Sequence, residues 1–504
     1  MKKMKNKIVL FFVVLITSSS CSSMLDVDST RLVSEKNKWT SLEDARASIL
    51  GVYALTKAAL GDYNAHWLYG EMRTGEFISP NRQDLKAIGR NDLNASYPAL
   101  EALSNWRRWY AVVNSANTFL ERIHEIRAAD NRYTENTMEV DIAQARFLRA
   151  FAYFYMVRIW GDVPLIASSR EGNFEDMPKE DGNKILAWVE QELLAAGEKL
   201  PYRYSANDEQ QQGDYYNENS GRWDGALVRK VTAYAILAHV AAWQSNYADA
   251  AAYSKFVLDN YSKASIGYIS TSTLTNANGF FFNKNINHLL GFNYDWGHVE
   301  SSFTGHIEEL TLAAPVVDKT VPDMYLPKEV ILDVFDEMSD ERFSIDTLGN
   351  PVTENYFRNF NGRYPIFSKI KCIQGGIADP TFRIFSSATI ITRLEDVTLL
   401  RAEALAALGE SNGAILLLDE IRERRGLEKY TQAVNGDLID AIFLERQREL
   451  MGEGHRWYDL VRYNRIKNND PDFVNLIQSG GIYWPISKDI RNQNKKIVQN
   501  DYWK

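Results

Sequence analysis

Cysteine is almost absent from the 504-residue chain, which contains only Cys21 and Cys372. Two cysteines so far apart cannot supply the Cys-x-x-Cys pairs on which common zinc and redox sites depend. The sequence therefore excludes those frameworks. Cys372, alone in its segment, is expected to be a small buried apolar residue and not a reactive thiol.

Excess positive charge and long apolar runs are also lacking. The formal net charge is −9. A chain this acidic does not have the basic stripes that neutralise phosphates, which argues against a general nucleic-acid binder and against electrostatic docking on anionic lipid. The apolar run at residues 8–16 has nine residues, whereas a membrane-spanning helix needs about 20. No later stretch is longer and equally apolar, so no spanning helix is expected.

Catalytic signatures are scarce as well. The seven histidines form no His-Glu-x-x-His pair, and the spacing of His288, His298 and His306 favours no metal site over chance. Residues 409–413 fit the pattern Gly-x-Ser-x-Gly, but they join two predicted helices, where these are ordinary turn residues. We therefore expect no catalytic residue, no metal and no cofactor. An all-helical glycoside hydrolase is the alternative enzyme, because it needs only two of the 66 acidic residues.

The first residues read as an export signal. Four lysines precede the apolar run at residues 8–16, and small residues then lead to Cys21. This order is typical of a lipoprotein signal peptide at 1–20, with Cys21 as the lipid-attachment residue and residues 21–38 as a polar tether. The chain would then be anchored to a membrane, and no intrachain disulfide would be possible. The alternative is ordinary secretion with an incidental cysteine.

Helical patterning dominates from residue 39 onward. Thr40 or Ser41 can cap a helix that starts at Leu42, and further helices are predicted over about 104–127 and 137–160. In the last of these, Phe147, Phe151, Phe154 and Tyr155 fall on one face, which predicts a core stripe.

Two helical hairpins of similar length, 226–260 and 393–425, have small-residue seams of the tetratricopeptide type. Residues 262–382 break the helical pattern with many Gly and Pro, and short strands are predicted near 288–294 and 364–371. The predicted fold is mainly α. It has a tetratricopeptide-like hairpin core at about 39–260 and 383–504, with an inserted loop-rich lobe at about 262–382, all within one domain over 39–504.

Five segments together resemble the SusD/RagB family in order and spacing: 146–165, 221–243, 393–410, 445–464 and 483–503. The resemblance implies a lipid-anchored protein of the outer membrane of Bacteroidota, facing outward and partnered with a SusC-like TonB-dependent transporter. It also implies a nutrient-binding protein that takes oligosaccharides or peptides and is not an enzyme. A surface tetratricopeptide-like scaffold that binds only proteins is the alternative.

The ligand site is expected where aromatic rings lie beside polar groups outside the helical pattern, because saccharides have apolar faces and polar rims. Two stretches fit, and the candidate ligand-binding residues are Trp67, Tyr69, Arg73, Asn81 and Asp84 in the first, and Tyr294, Trp296 and His298 in the second. The alternative is that Trp67 and Trp296 only pack the lobe.

Other residues of the family segments are expected to be structural. They are Arg149, Asp162, Pro164, Glu445, Arg448, Arg456, Trp457 and Asp459. Arg456, Asp459 and Arg462 follow one another at three-residue spacing and could form an ion ladder along one helix. Glu445 and Arg448 could pair in the same way, and exposed pairs of this kind contribute ~0–1 kcal/mol each.

Overall fold

The computed structural model describes residues 39–169, 175–295, 300, 304–374 and 384–504. Cys21, Trp296 and His298 lie outside the described residues, so their predicted roles stay predictions. The helices are α1 Leu42–Gly61, α2 Ala65–Gly70, α3 Gln83–Gly89, α4 Pro98–Leu103, α5 Arg107–Ala129, α6 Glu135–Trp160, α7 Gly182–Lys199, α8 Lys230–Trp243, α9 Tyr247–Asn260, α10 Thr271–Thr275, α11 Ile307–Thr311, α12 Lys328–Val334, α13 Leu394–Ala407, α14 Ser411–Arg424, α15 Gln432–Asn435, α16 Leu438–Leu450, α17 Arg456–Lys467, α18 Pro471–Gln478 and α19 Lys488–Gln493.

The long helices form a continuous stack of hairpins. Helix α1 packs on α5, α5 on α6, α6 on α7, α7 on α8, α8 on α9, α9 on α13 and α13 on α14. Alanines on α8 and α9, among them Ala238, Ala242 and Ala250, are buried against leucines of α13, and their small size lets the helix backbones approach closely. The predicted mainly α, tetratricopeptide-like architecture is confirmed.

Local sequence signals explain where these helices begin and end. Ser41 caps α1, because its hydroxyl accepts from the Asp44 amide at 3.2 Å while the Asp44 carboxylate accepts from the Ser41 amide at 2.9 Å. Gly161, with φ of 74°, ends α6. The Asp162 carboxylate then accepts the first amide of α7, that of Gly182, at 2.9 Å. The predicted Gly-x-Ser-x-Gly turn is indeed the α13–α14 connection.

The inserted lobe lies between α9 and α13 and contains short strands. They are β1 Leu290–Phe292, β2 Phe343–Ile345, β3 Pro351–Glu354, β4 Phe357–Arg358, β5 Ile366–Phe367 and β6 Thr389–Thr392. Each strand has one antiparallel partner, in the pairs β1–β6, β2–β3 and β4–β5. Pairing of β1 with β6 ties the two ends of the lobe together just before α13. The strands predicted near 288–294 and 364–371 correspond to β1 and β5.

The C-terminal family segment forms a buried ion network. Glu445 bonds Arg342 at 2.7 Å and lies 3.7 Å from Arg448, and Asp459 bonds both Arg446 and Arg462, at 2.9 and 2.7 Å. These side chains are almost fully buried, so the description of such pairs as exposed was wrong. They stabilise the contact between α16, α17 and the lobe only if nearly every charge finds a partner, because an unpaired buried charge is costly.

The predicted ion ladder on α17 is only half present. Asp459 and Arg462 pair as expected, but Arg456 turns away and pairs with Glu76 at 2.7 Å. The spacing of charged residues along α17 cannot reveal the Arg456–Glu76 pair, because Glu76 comes from a distant part of the chain. Trp457 packs against the Arg73 guanidinium, which lies 4.1 Å from its ring centroid.

Two other family positions also support the scaffold. Arg149 pairs with Glu192 of α7 at 2.5 Å, and the Pro164 carbonyl accepts from the Tyr110 hydroxyl at 2.5 Å.

Cys372 is buried, as predicted. Within the described residues, no helix combines the length and apolar character needed to cross a membrane. The same residues contain no cluster of three or more His, Cys, Asp or Glu side chains suited to a metal ion.

Candidate ligand-binding site

The first predicted stretch divides between core and surface. Trp67, Tyr69 and Arg73 are only 2–3% exposed and belong to the interior. The Tyr69 hydroxyl donates to the Leu103 carbonyl at 2.6 Å. The exposed aromatic platform expected at Trp67 is therefore wrong for this ring, and the alternative, that Trp67 packs the lobe, is the one the structure shows.

Arg73 is buried because other polar groups replace water around it. Its guanidinium donates to the carbonyls of Gly481 (2.6 Å) and Ile482 and to the Asn91 side chain (2.9 Å). Most N–H groups of the Arg73 guanidinium thus donate to the protein itself and are not available to a ligand. Burial without a carboxylate partner also lowers the pKa of Arg73 to about 9.

A groove opens beside this core, where the end of α1, α2, the start of α3 and α11 meet. Its cavity volume is about 370 Å³. The groove is lined by Asp62, Tyr63, Asn64, Leu68, Arg82, Ala99, Thr304, Glu309 and Leu310. Its size is within the range of small-molecule sites, which are clefts of about 300–1,000 Å³.

Tyr63 supplies an aromatic surface at the groove. Its side chain is 55% exposed. Tyr63 and Asn64 both adopt left-handed backbone conformations, with φ of 54° and 57°. Asparagine tolerates this conformation, whereas for tyrosine it is strained, and such strain is concentrated at functional sites. The Asn64 side chain holds this turn in place by donating to Glu309 at 2.7 Å and accepting from the Gly305 amide at 3.1 Å.

The second predicted stretch reaches the same end of α1. Tyr294 is half-buried, with the Lys57 ammonium 4.8 Å from its ring centroid and the His306 ring 4.5 Å away, edge-on. Lys57 also bonds the Asn293 carbonyl at 3.1 Å and the Glu300 carboxylate at 2.9 Å. These contacts hold Asn293 and Tyr294 against α1. Burial raises the pKa of Tyr294 to about 12.

Gly61 lies where three segments meet. A Cβ atom there would lie 3.0 Å from the Tyr294 hydroxyl and within 3.7 Å of the Gly305 carbonyl oxygen. The contact with Tyr294 is tight and the one with Gly305 is ordinary, so the absence of a side chain at Gly61 leaves room chiefly for the Tyr294 hydroxyl.

The charges of the groove are mostly compensated. Arg82 pairs with Asp84 at 2.5 Å and lies 3.5 Å from Asp323, and Asp62 pairs with Arg108 at 2.9 Å. Burial raises the pKa of Glu309. Of the remaining predicted residues, Asn81 is exposed beside Arg82, and Asp84 is half-buried. The groove thus offers one exposed ring, several carboxylate oxygens and amide groups, which can accept and donate hydrogen bonds.

Sequence reasoning missed the residues that line most of this groove. Tyr63 and Asn64 come directly after the last turn of α1, and the run Gly-Asp-Tyr-Asn is a recognisable helix end. Because loops after helix ends are often exposed, Tyr63 and Asn64 could have been predicted as candidate ligand-binding residues. Glu309 carries no comparable signal, because only the tertiary structure brings α11 to the end of α1.

Comparison with known proteins gives a consistent family assignment. The model described as "SusD family" matches residues 347–503, and the model described as "Starch-binding associating with outer membrane" matches residues 49–206. A crystal structure of a SusD superfamily protein from Bacteroides thetaiotaomicron is 45% identical, with a TM-score of 0.84, over 92% of this chain and 99% of that one.

More distant relatives share nearly the whole length. SusD-like protein P38 of Formosa agariphila is 25% identical over 99% of both chains. A structure described as a laminarin binding SusD-like protein is 21% identical, with a TM-score of 0.67 over 92% of this chain and 99% of that one. At this identity, the laminarin binding neighbour supports only the fold of this chain.

Proposed function

We propose that this chain, which belongs to the SusD family, captures oligosaccharides at the outer membrane and passes them on without cleaving them. The observation that carries the proposal is the groove, in which the exposed ring of Tyr63 lies beside the amide of Asn64 and the carboxylates of Asp62 and Glu309. A sugar ring needs both an aromatic surface for its C–H face and acceptors for its hydroxyls.

The family supports the same function. One of the two matching family models is described as starch-binding and associated with the outer membrane, and one structural neighbour is described as laminarin binding. Asn81, Asp84 and Tyr294, with Trp296 and His298 from the same stretch as Tyr294, are proposed as further contacts around the groove.

The test is calorimetric binding of an oligosaccharide identified by a glycan screen. Tyr63→Ala should weaken binding, because loss of an aromatic anchor costs about 1–3 kcal/mol, or about 5- to 150-fold in affinity. Tyr502→Ala is the matched control, since Tyr502 is also exposed, at 42%, but lies outside the groove. Equal affinity of both variants and the wild type would place the site elsewhere.

The same samples separate the alternative functions. Recovery of intact oligosaccharide after long incubation is expected of a binding protein, whereas shorter products from a pure sample would favour the hydrolase. Binding of peptides but of no saccharide would change the ligand class. Binding of neither, with capture of folded proteins only, would favour the protein scaffold.

Membrane attachment is proposed to occur through Cys21. Stable anchoring needs more than one acyl chain, which lipoprotein processing supplies. Cys21→Ala should release the protein from the membrane fraction of cells that lack its transporter. If the variant still fractionates with the outer membrane under that condition, the lipid anchor is wrong.

The proposed partner is a SusC-like TonB-dependent transporter. A stable complex of the obligate type buries well over ~2,000 Å², so it should survive mild detergent. A tagged copy purified from its native cells should bring the transporter down with it. Recovery of the protein alone in several detergents, with ligand present, would count against this partner.

A further inference from the structure

The charges around the groove also bear on which saccharides it can take. Arg82 is the only basic residue among the described residues that line the groove. Both of its faces are already engaged, since it forms a two-point contact with Asp84, at 2.5 and 3.2 Å, and a longer contact with Asp323 at 3.5 Å.

The neighbouring basic residues are engaged in the same way. Lys319 bonds the Glu309 backbone carbonyl at 2.6 Å and lies 3.3 Å from Asp323. Arg108 pairs with Asp62 at 2.9 Å. An anionic ligand would therefore have to break an existing ion pair before it gained one.

The acidic side of the groove is less well compensated. The Glu309 carboxylate accepts from the Asn64 amide at 2.7 Å, which is a neutral partner. Arg82 and Lys319 act on it only at longer range, and Asp323 adds a negative charge nearby. Among the described residues, Asp62 is paired only with Arg108, whose side chain is 61% exposed, and an exposed pair of this kind neutralises little. A carboxylate or sulfate entering the groove would meet these two carboxylates, and like charges brought together at an interface are strongly unfavourable.

We infer that the groove selects neutral, hydroxyl-rich oligosaccharides and rejects uronate-containing or sulfated ones. The inference rests on the proposed function and specifies its ligand class. Hydroxyl groups donate to the carboxylate oxygens of Asp62 and Glu309 without disturbing the ion pairs of Arg82, Lys319 and Arg108, and Tyr63 provides the ring on which a neutral sugar face can lie.

The experiment uses matched pairs of ligands with the full-length protein. Gluco-, galacto- and manno-oligosaccharides are each offered in neutral form and as the C6-oxidised uronate of the same length. At low ionic strength, we expect the neutral member of the bound pair to bind at least about 10-fold more tightly, and added salt to narrow the difference because it screens the repulsion.

Two variants assign the effect to the groove. Glu309→Gln keeps the size of the side chain and removes its charge, so the gap between the neutral and the oxidised ligand should shrink several-fold. Glu209→Gln removes the same charge from an exposed residue outside the groove lining and should leave the gap as it is in the wild type.

The outcomes separate the inference from the function beneath it. Uronates that bind as tightly as their neutral partners, or more tightly, would overturn the charge selectivity and leave oligosaccharide capture standing. A gap that is the same in Glu309→Gln as in the wild type would also overturn it. Binding of no member of any pair would count against the proposed function and the inference together.

Discussion

Glu449 is the most connected carboxylate of the buried network, and its replacement tests how that network stabilises the fold. One of its oxygens accepts from Arg393 at 2.8 Å and Arg425 at 2.7 Å, and the other accepts from Arg425 at 2.8 Å and Arg342 at 3.1 Å. The side chain is fully buried. The three guanidinium groups hold the pKa of Glu449 well below its usual range.

Glu449→Gln keeps the shape of the side chain but removes its charge. The amide nitrogen would then face guanidinium donors, and three buried cations would share fewer carboxylates. Breaking a buried ion pair in this way costs about 3–5 kcal/mol. A chain of this length has an unfolding entropy of about 1 kcal/mol/K, so the melting temperature should fall by about 3–5 °C.

The assay is thermal unfolding followed by circular dichroism at neutral pH, in low and high salt. Glu420→Gln is the control, because Glu420 forms an exposed pair with Arg424 and should change the stability by less than about 0.5 kcal/mol. The loss in Glu449→Gln should be the same at both salt concentrations, since buried pairs are screened little. A variant that melts with the wild type would refute the reasoning that the network compensates buried charge.

Three further predictions follow from the described contacts. Trp67→Ala should lower the free energy of unfolding by about 3–5 kcal/mol, and with it the melting temperature, because it leaves a cavity in the core. An unchanged melting temperature would contradict the burial of Trp67. Asn64→Gly keeps the left-handed backbone but loses the bonds to Glu309 and Gly305 that hold the turn in place. Oligosaccharide affinity should fall up to about 10-fold, because part of the binding energy is then spent on ordering the turn; unchanged affinity by calorimetry would contradict this. Arginines lower the pKa of Asp459 from 3.8 to about 2, so its stabilisation is full above about pH 4 and is lost as the pH falls toward 2. Urea unfolding at pH 5, 4 and 3 measures this loss, which should be smaller in Asp459→Asn.

The helical stack could be predicted because its signals are local. Ser41 with Asp44, Gly161 before Pro164, and the Ala-rich seams of the hairpins each act within a few residues of the chain. Helix boundaries and hairpin turns depend on such short-range contacts. Helix α5 begins at Arg107, three residues later than predicted, because local signals fix a helix boundary only to within a few residues.

The strands of the lobe were harder to predict because each is short, and β1 and β6 also need a distant partner. The strand β6, Thr389–Thr392, pairs with β1, which lies about 100 residues earlier. A run of four residues contains too little periodicity to identify a strand without that partner.

The site shows the same division between local and distant information. In sequence, Trp67, Tyr69 and Arg73 look like ligand-binding residues. The carbonyls of residues 103 and 481–482 instead accept hydrogen bonds from Tyr69 and Arg73, and Trp67 is buried in the core. Tyr63, in the turn after α1, stays exposed. Which aromatic ring faces solvent depends on contacts between remote segments.

By itself, the sequence determined the helical class, the hairpin core, the inserted lobe and the family, because these follow from periodicity and from motifs that span nearly the whole chain. Only the tertiary structure decided that the C-terminal charges form a buried network and that Arg456 pairs with Glu76. It also placed Tyr63, Asn64 and Glu309 around one groove. The physical reason is that burial and charge pairing depend on distances between residues, and residues 64 and 309 are brought within hydrogen-bond distance only when the stack and the lobe have folded together.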